Sequence, residues 1–140
     1  MKAIKLILDD EGRQRVIEAI EKAKKIGNAY EVQKLTNLLA NSTTYQKSSE
    51  EDIVEPGDLI TIDVKCSSSK FDFEETIRLV TYPINEHTDI MEISIDSPLG
   101  KAIFNQRVGS EISYQVDTMH YSVYLLAKLA VETDKNYSLK

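Results

Sequence analysis

Few side chains in this sequence have the type and spacing that covalent or metal chemistry requires. The two histidines, His87 and His120, lie in polar loops with no cysteine or second histidine at ligand spacing, so neither indicates a metal site. Cys66 is the only cysteine, and the Ser67-Ser68-Ser69 run behind it lacks the glycine-flanked turn of a nucleophile elbow. It reads as an idle thiol. Five scattered glycines form no phosphate-binding loop. The acidic pairs Glu50-Glu51 and Glu74-Glu75 fall in a polar stretch and at a strand start, where carboxylates face water. These residues point to no active site, no metal and no cofactor, and the chain is expected to act by binding rather than as an enzyme.

What remains is the chemistry of recognition, and its best candidate is the stretch Ile93-Ser94-Ile95-Asp96-Ser97-Pro98-Leu99-Gly100-Lys101-Ala102-Ile103-Phe104, closed by Val108-Gly109. It reads as a short alternating strand, a Ser-Pro helix start, one or two helical turns and a glycine stop. Ser97 can cap the helix, and Pro98 suits the first helical position, where its missing N–H costs nothing. Asp96 lies beside the partial positive charge of the helix N-terminus. Taken alone, the corner only turns a strand into a helix. The functional reading makes the corner and its carboxylate a docking surface.

The elements that must position this corner fit within one compact domain and an appendage, since the chain has 140 residues. Forty-one per cent hydrophobic and 29% charged residues, without a long apolar run, argue for a soluble globular protein and against a membrane span. Met1-Lys2-Ala3-Ile4-Lys5-Leu6-Ile7-Leu8 meets Asp9-Asp10-Glu11 too soon for an export signal. A lone cysteine excludes an internal disulfide and fits a reducing, cytoplasmic setting. Of the net charge of −6, residues 1–40 carry +2 (eight basic, six acidic) and residues 41–140 carry −8 (nine basic, seventeen acidic). The acidic part argues against a general nucleic-acid surface and for a protein partner.

Asp9-Asp10-Glu11 suits a helix start, and Val16, Ile17, Ile20 and Ala23 recur on one face of the helix that follows. Gly27-Asn28 ends it, and a second helix is expected from Ala29 to Ala40 with Val32, Leu35, Leu38 and Leu39 on its stripe. Together they form a short antiparallel helical hairpin, whose arms of about 12–17 residues reach roughly 18–25 Å. Its basic residues read as a solvated face. Residues 41–55 are polar and without period and read as a linker. Strands are expected at Leu59–Lys65, Phe73–Tyr82, Ile93–Ile95, Glu111–Val116 and Tyr121–Leu129, with a turn over Asp117-Thr118-Met119-His120 and a polar tail from Glu132. The fold class is α+β: residues 1–42 a helical hairpin, 43–56 a linker, 57–131 a sheet of about five antiparallel-prone strands with one short helix, and 132–140 a tail.

The order of these parts resembles the bacterial Gre transcript-cleavage factors. Leu8-Asp9-Asp10-Glu11-Gly12 before an amphipathic helix is similar to the opening of that family, and Ile93 to Ala102 followed by Val108-Gly109-Ser110-Glu111 is similar to its C-terminal domain. The likeness spans most of residues 5–130 and is strongest over 93–112. It implies an FKBP-like C-terminal domain that docks on the rim of the RNA polymerase secondary channel, with Asp96, Ser97, Pro98, Leu99, Gly100 and Lys101 as the docking surface and a coiled coil pointing inward. DNA or RNA would be met only through the polymerase.

Catalysis in that family depends on paired acidic residues at the coiled-coil tip. Here the tip is Gly27-Asn28-Ala29-Tyr30-Glu31, where Glu31 alone remains, and the arms are far shorter. The blunted hairpin and the Leu79-Val80-Thr81-Tyr82-Pro83 stretch are closer to the Rnk branch, which docks without stimulating cleavage. The resemblance therefore implies a non-catalytic regulator that binds RNA polymerase. Three alternatives stand beside it: a cleavage factor of the Gre type, an FKBP-like peptidyl-prolyl isomerase, and an unrelated interaction module that dimerises through its hairpin.

Overall fold

A computed structural model describes residues 6–48, 50–67, 70, 72–84 and 89–129. Ile4 and Lys5 of the first apolar run, Ser68 and Ser69, His87 and the tail from Glu132 lie outside the described residues. The chain divides into two compact units, the first comprising residues 6–48 with 81–84, the second residues 50–80 with 89–129.

The first unit is built on two helices, α1 (Asp10–Lys25) and α2 (Ala29–Ala40). Asp9 caps α1 by accepting from the Gly12 N–H at 2.8 Å, while Asp10 and Glu11 in the first turn and Lys22, Lys24 and Lys25 in the last complement the helix dipole. At its end, Gly27 N–H donates to the Lys24 carbonyl at 3.1 Å and Asn28 N–H to the Ala23 carbonyl at 2.9 Å. This closing arrangement requires a left-handed residue, supplied by Gly27 at φ +74°. Asn28 is not left-handed. Its side chain instead caps α2 by accepting from Glu31 N–H at 3.1 Å. Val16, Ile20 and Leu35 pack with Leu8 in a small core, but Ile17, expected on the buried face, is 37% exposed.

Two short strands, β1 (Ile7–Leu8) and β2 (Thr43–Thr44), pair in parallel beside the helices. The first part of the polar stretch expected to be a linker is thus hydrogen-bonded structure. Its last part belongs to the second unit, where Val54 is fully buried and exchanges backbone hydrogen bonds with Asn105 and Gln106.

The second unit carries β3 (Leu59–Cys66), β4 (Asp72–Val80), β5 (Met91–Ser94), α3 (Pro98–Ile103), β6 (Glu111–Val116) and β7 (Met119–Leu129), with the sheet in the order β5-β4-β3-β7-β6. Alternation puts Ile60, Ile62, Val64 and Cys66 of β3 into the core with Ile77, Leu79, Val123 and Leu125. The sheet is antiparallel except at one edge, where β5 runs parallel to β4 and corrects the expectation of antiparallel pairing throughout. Parallel neighbours need a connection that leaves the sheet. The chain does so after Val80, residues 81–84 belonging to the first unit.

The β6–β7 turn is also tighter than expected. It uses only Asp117, at φ 54°, and Thr118, so β7 begins at Met119 and includes His120.

Candidate docking surface

The corner between β5 and α3 is held by a dense set of short-range hydrogen bonds. Ser97 Oγ accepts from Gly100 N–H at 3.0 Å and donates to the Ser94 carbonyl at 2.7 Å, so one hydroxyl both caps α3 and ties it to the strand before it. Asp96 N–H donates to Ser94 Oγ at 3.0 Å, and Ser97 N–H donates to the Ser94 carbonyl at 3.0 Å. Pro98 takes the first helical turn. Gly100 is buried against this turn, and a Cβ there would collide with the Ser94 carbonyl oxygen, so the position requires glycine through close approach.

Of the six residues expected to form the docking surface, Asp96, Pro98 and Lys101 are exposed, Ser97 and Leu99 are half-buried, and Gly100 is buried. Ser97 and Gly100 thus shape the corner from within, and Leu99 packs on the core. Asp96, Pro98 and Lys101 present themselves outward.

The fold adds residues that the linear pattern could not. α3 packs against both edge strands, β5 and β6, which curls the sheet around it. Asp96, Pro98, Lys101 and Ala102 thereby share one shallow depression with Ser113, Tyr114 and Gln115 of β6. On its other side Tyr114 stacks on Tyr121, with ring centroids 5.2 Å apart and planes at 19°, in a second depression bordered by Ser67, His120 and Ser122. Burial and the neighbouring Tyr121 raise the Tyr114 phenol above its ordinary value, so it is neutral and a hydrogen-bond donor. No local motif marks Tyr114. It joins the corner only because β6 is the sheet edge against which α3 lies.

The hairpin tip offers a different surface. Gly27, Asn28, Ala29 and Tyr30 are exposed, Glu31 is half-buried, and Lys34 Nζ stands 3.9 Å from the Glu31 carboxylate. One carboxylate, already beside an ammonium, does not fit the paired acids that the Gre resemblance requires for holding a metal ion. Among the described residues no three of His, Cys, Asp and Glu come together as metal ligands would. His120 is exposed at the start of β7, and Cys66 is buried.

Within the first unit a cluster far apart in sequence secures α1. Asp9 Oδ1 accepts from Thr81 Oγ1 at 2.8 Å as well as from Gly12 N–H, and Arg15 donates to the Tyr82 carbonyl at 2.9 Å. Thr81 and Arg15 carry no pattern that announces this role in the sequence.

The profile described as "Transcription elongation factor, GreA/GreB, C-term" matches residues 49–127, a segment that contains β3 to α3, β6 and most of β7. The corner and its β6 neighbours therefore lie within the domain that defines a class of transcription elongation factors. The chain belongs to the GreA/GreB family.

Among solved structures it is similar to GreA factor homolog 1 of Thermus thermophilus, at 17% identity over 91% of this chain and 100% of that one with a TM-score of 0.40. It is likewise similar to the transcription elongation factor GreA/GreB of Nitrosomonas europaea, at 22% identity over 90% and 100% with a TM-score of 0.42. A third similar structure is Gfh1 of Thermus aquaticus, at 17% identity over 91% and 100% with a TM-score of 0.39. Among curated proteins no relative matches. No helix among the described residues is long and apolar enough to cross a membrane.

Proposed function

We propose that this protein is a non-catalytic regulator of transcription elongation that binds RNA polymerase at the rim of the secondary channel through the β5–α3 corner. The observation that carries the reading is the corner itself: Asp96, Pro98 and Lys101 stand exposed on a turn immobilised by Ser94, Ser97 and Gly100, inside the segment matched by the GreA/GreB C-terminal profile. A rigid, partly apolar surface with one charge of each sign loses little conformational freedom on docking. Non-catalytic action is supported by the tip, where the lone carboxylate of Glu31 lies beside Lys34. The hairpin acts by occupying space.

Binding to core RNA polymerase by the wild type, Asp96→Arg and Pro98→Ala tests the first part. The wild type binds, charge reversal at Asp96 abolishes binding, and Pro98→Ala weakens it. Absence of wild-type binding overturns the reading. The second part is tested on backtracked elongation complexes, where the protein leaves the transcript intact. Transcript cleavage that disappears in Glu31→Gln would instead establish a cleavage factor.

A further inference from the structure

The sheet of the second unit ends on β5 and β6, and only one of these edges carries a guard against pairing with another chain. β5 has four residues, and a short edge strand is itself such a guard. β6 runs six residues without a proline or a lysine, and no bulge interrupts its register against β7. Its sole charge is Glu111, at one end. Among the described residues no strand lies on its outer side. Shallow depressions flank Ser113, Tyr114 and Gln115, one shared with α3 and the other with Ser67 and His120.

The pairing with β7 fixes which backbone groups this edge presents. Leu125 N–H donates to the Ser110 carbonyl at 3.0 Å, and in an antiparallel ladder the residues that bond to a given neighbour alternate. Ile112, Tyr114 and Val116 therefore bond to β7, while the N–H and C=O groups of Glu111, Ser113 and Gln115 point away from the sheet. The far side of β7 agrees. Ser67 N–H donates to the His120 carbonyl at 2.9 Å, so His120, opposite Gln115, turns its backbone toward β3.

Only an odd-numbered residue can then stand on the two-fold axis of an edge-to-edge pair. With Ser113 on the axis, Glu111 faces Gln115 of the second copy and Ile112 faces its Tyr114, which allows up to about six main-chain hydrogen bonds and keeps the two carboxylates apart. An axis at Glu111 would oppose the carboxylates, and one at Gln115 would run the strand into the β6–β7 turn. Tyr114 is already stacked on Tyr121 with ring centroids 5.2 Å apart, so holding its ring at the contact costs little further freedom.

We infer that β6 is a self-association edge: two copies of this chain pair antiparallel through residues 111–115 about a two-fold axis at Ser113, joining their sheets. The strand complements itself in hydrogen bonding, in apolar pairing and in charge, which selects a second copy over a foreign segment. The interface falls in the class of small, transient contacts, below about 1,200 Å², so the dimer is weak and depends on concentration. The inference stands independently of the polymerase reading.

Sedimentation velocity of the full chain over a rising concentration series, joined to residue-resolved amide exchange, tests it. The wild type is expected to pass from monomer to dimer, with the N–H groups of Ser113 and Gln115 gaining about tenfold protection as it does so and that of Ile112 protected throughout. Ser113→Lys sets two ammonium groups on the axis and is expected to weaken dimerisation about tenfold. Gln115→Lys sets an ammonium opposite each Glu111 and is expected to strengthen it about threefold. Both positions are exposed, so an unchanged Tm establishes that the variants remain folded, and the exchange measurement needs no variant. A wild type that stays monomeric at the top of the series overturns the inference and leaves the edge to a foreign strand. A dimer that Ser113→Lys leaves intact, or that forms without protecting Ser113 and Gln115, has its contact elsewhere and overturns the inference as well.

Discussion

Thr81 Oγ1 donates a 2.8 Å hydrogen bond to Asp9 Oδ1 across 72 residues of sequence, and Asp9 N–H lies 3.3 Å from the same hydroxyl. The Asp9 carboxylate also caps α1 through Gly12, and a Cβ at Gly12 would collide with Thr81 Oγ1. The start of the helix and the segment after β4 are therefore one hydrogen-bonded assembly. Asp9→Ala removes the cap and the bond from the Thr81 hydroxyl to the carboxylate together and should cost about 2 kcal/mol, whereas Thr81→Val, which keeps the cap and removes the long-range bonds of the hydroxyl to Asp9, should cost about 1 kcal/mol. A double-mutant cycle read by urea denaturation should give a total smaller than the sum, because both variants lose the same bond. Gly12→Ala should destabilise through collision even though alanine is the better helix former.

Gly100 inside α3 and Gly109 beyond its end should respond to alanine for different reasons. Gly100 has no room for a methyl group because the Ser94 carbonyl oxygen occupies the place, and moving it would disturb the hydroxyl cap at Ser97. Gly109 has open space around its Cβ direction but sits at φ +95°. Gly109→Ala should cost about 1 kcal/mol of backbone strain, and Gly100→Ala more, roughly 2–4 kcal/mol, as backbone at a packed corner shifts. The urea midpoints of the two variants check the ranking. The corner variant should in addition lose affinity for polymerase.

On the outer face of the sheet, Lys65 bridges Asp63 and Asp72 at 3.4 and 3.0 Å. A hydrogen bond to Asp72 and desolvation raise the Asp63 carboxyl above its ordinary value, while the same hydrogen bond and Lys65 pull Asp72 below its own. The signs are opposite. Asp72 contributes stability above its unfolded value that is lost as pH falls through the lowered folded one. Asp63 contributes stability below its unfolded value that is lost as pH rises through the raised folded one. The pair is therefore most favourable in the acidic window between the two, where one proton is shared. Asp63→Asn keeps a donor for Asp72 and removes the second charge, so its Tm relative to the wild type should increase as pH is raised from that window to neutrality. A difference that is flat with pH would show that the proton is not shared.

The hairpin was legible in the sequence because Asp9 is a cap, Gly27 is the left-handed stop, and the apolar residues recur at helical spacing, whereas Asn28 read as part of that stop and is instead the cap of α2. Ser97-Pro98 made α3 legible in the same way. The direction of β5 was not, because four residues carry alternation but no record of which neighbour they join. The short strand Thr43–Thr44 and the Thr81 and Arg15 contacts escaped for a related reason, since each is stabilised by partners far along the chain rather than by its own propensity. Of the β5–α3 corner, the exposed positions Asp96, Pro98 and Lys101 could be placed from the motif. Tyr114 required knowing that β6 is an edge.

Lys128 offers a test that separates stability of the second unit from docking. Its ammonium donates to the Ile53 carbonyl at 2.7 Å and stands 3.3 Å from Asp58 Oδ2, which itself accepts from Glu55 N–H at 2.8 Å. The side chains of Lys128 and Asp58 are only 13% and 4% exposed. Removing one partner of a buried pair leaves the other charge in a poor environment, at a cost of about 3–5 kcal/mol, whereas replacing both by neutral groups of similar size is far less harmful. Lys128→Met should therefore destabilise strongly, and Lys128→Met/Asp58→Asn should recover part of the loss although it carries one more substitution. Neither residue lines the β5–α3 corner, so the double variant, studied below its unfolding midpoint, should bind polymerase with wild-type affinity while Asp96→Arg does not. Equal destabilisation of the single and double variants would mean that the bond from Lys128 to the Ile53 carbonyl, rather than the ion pair, holds this part of the fold.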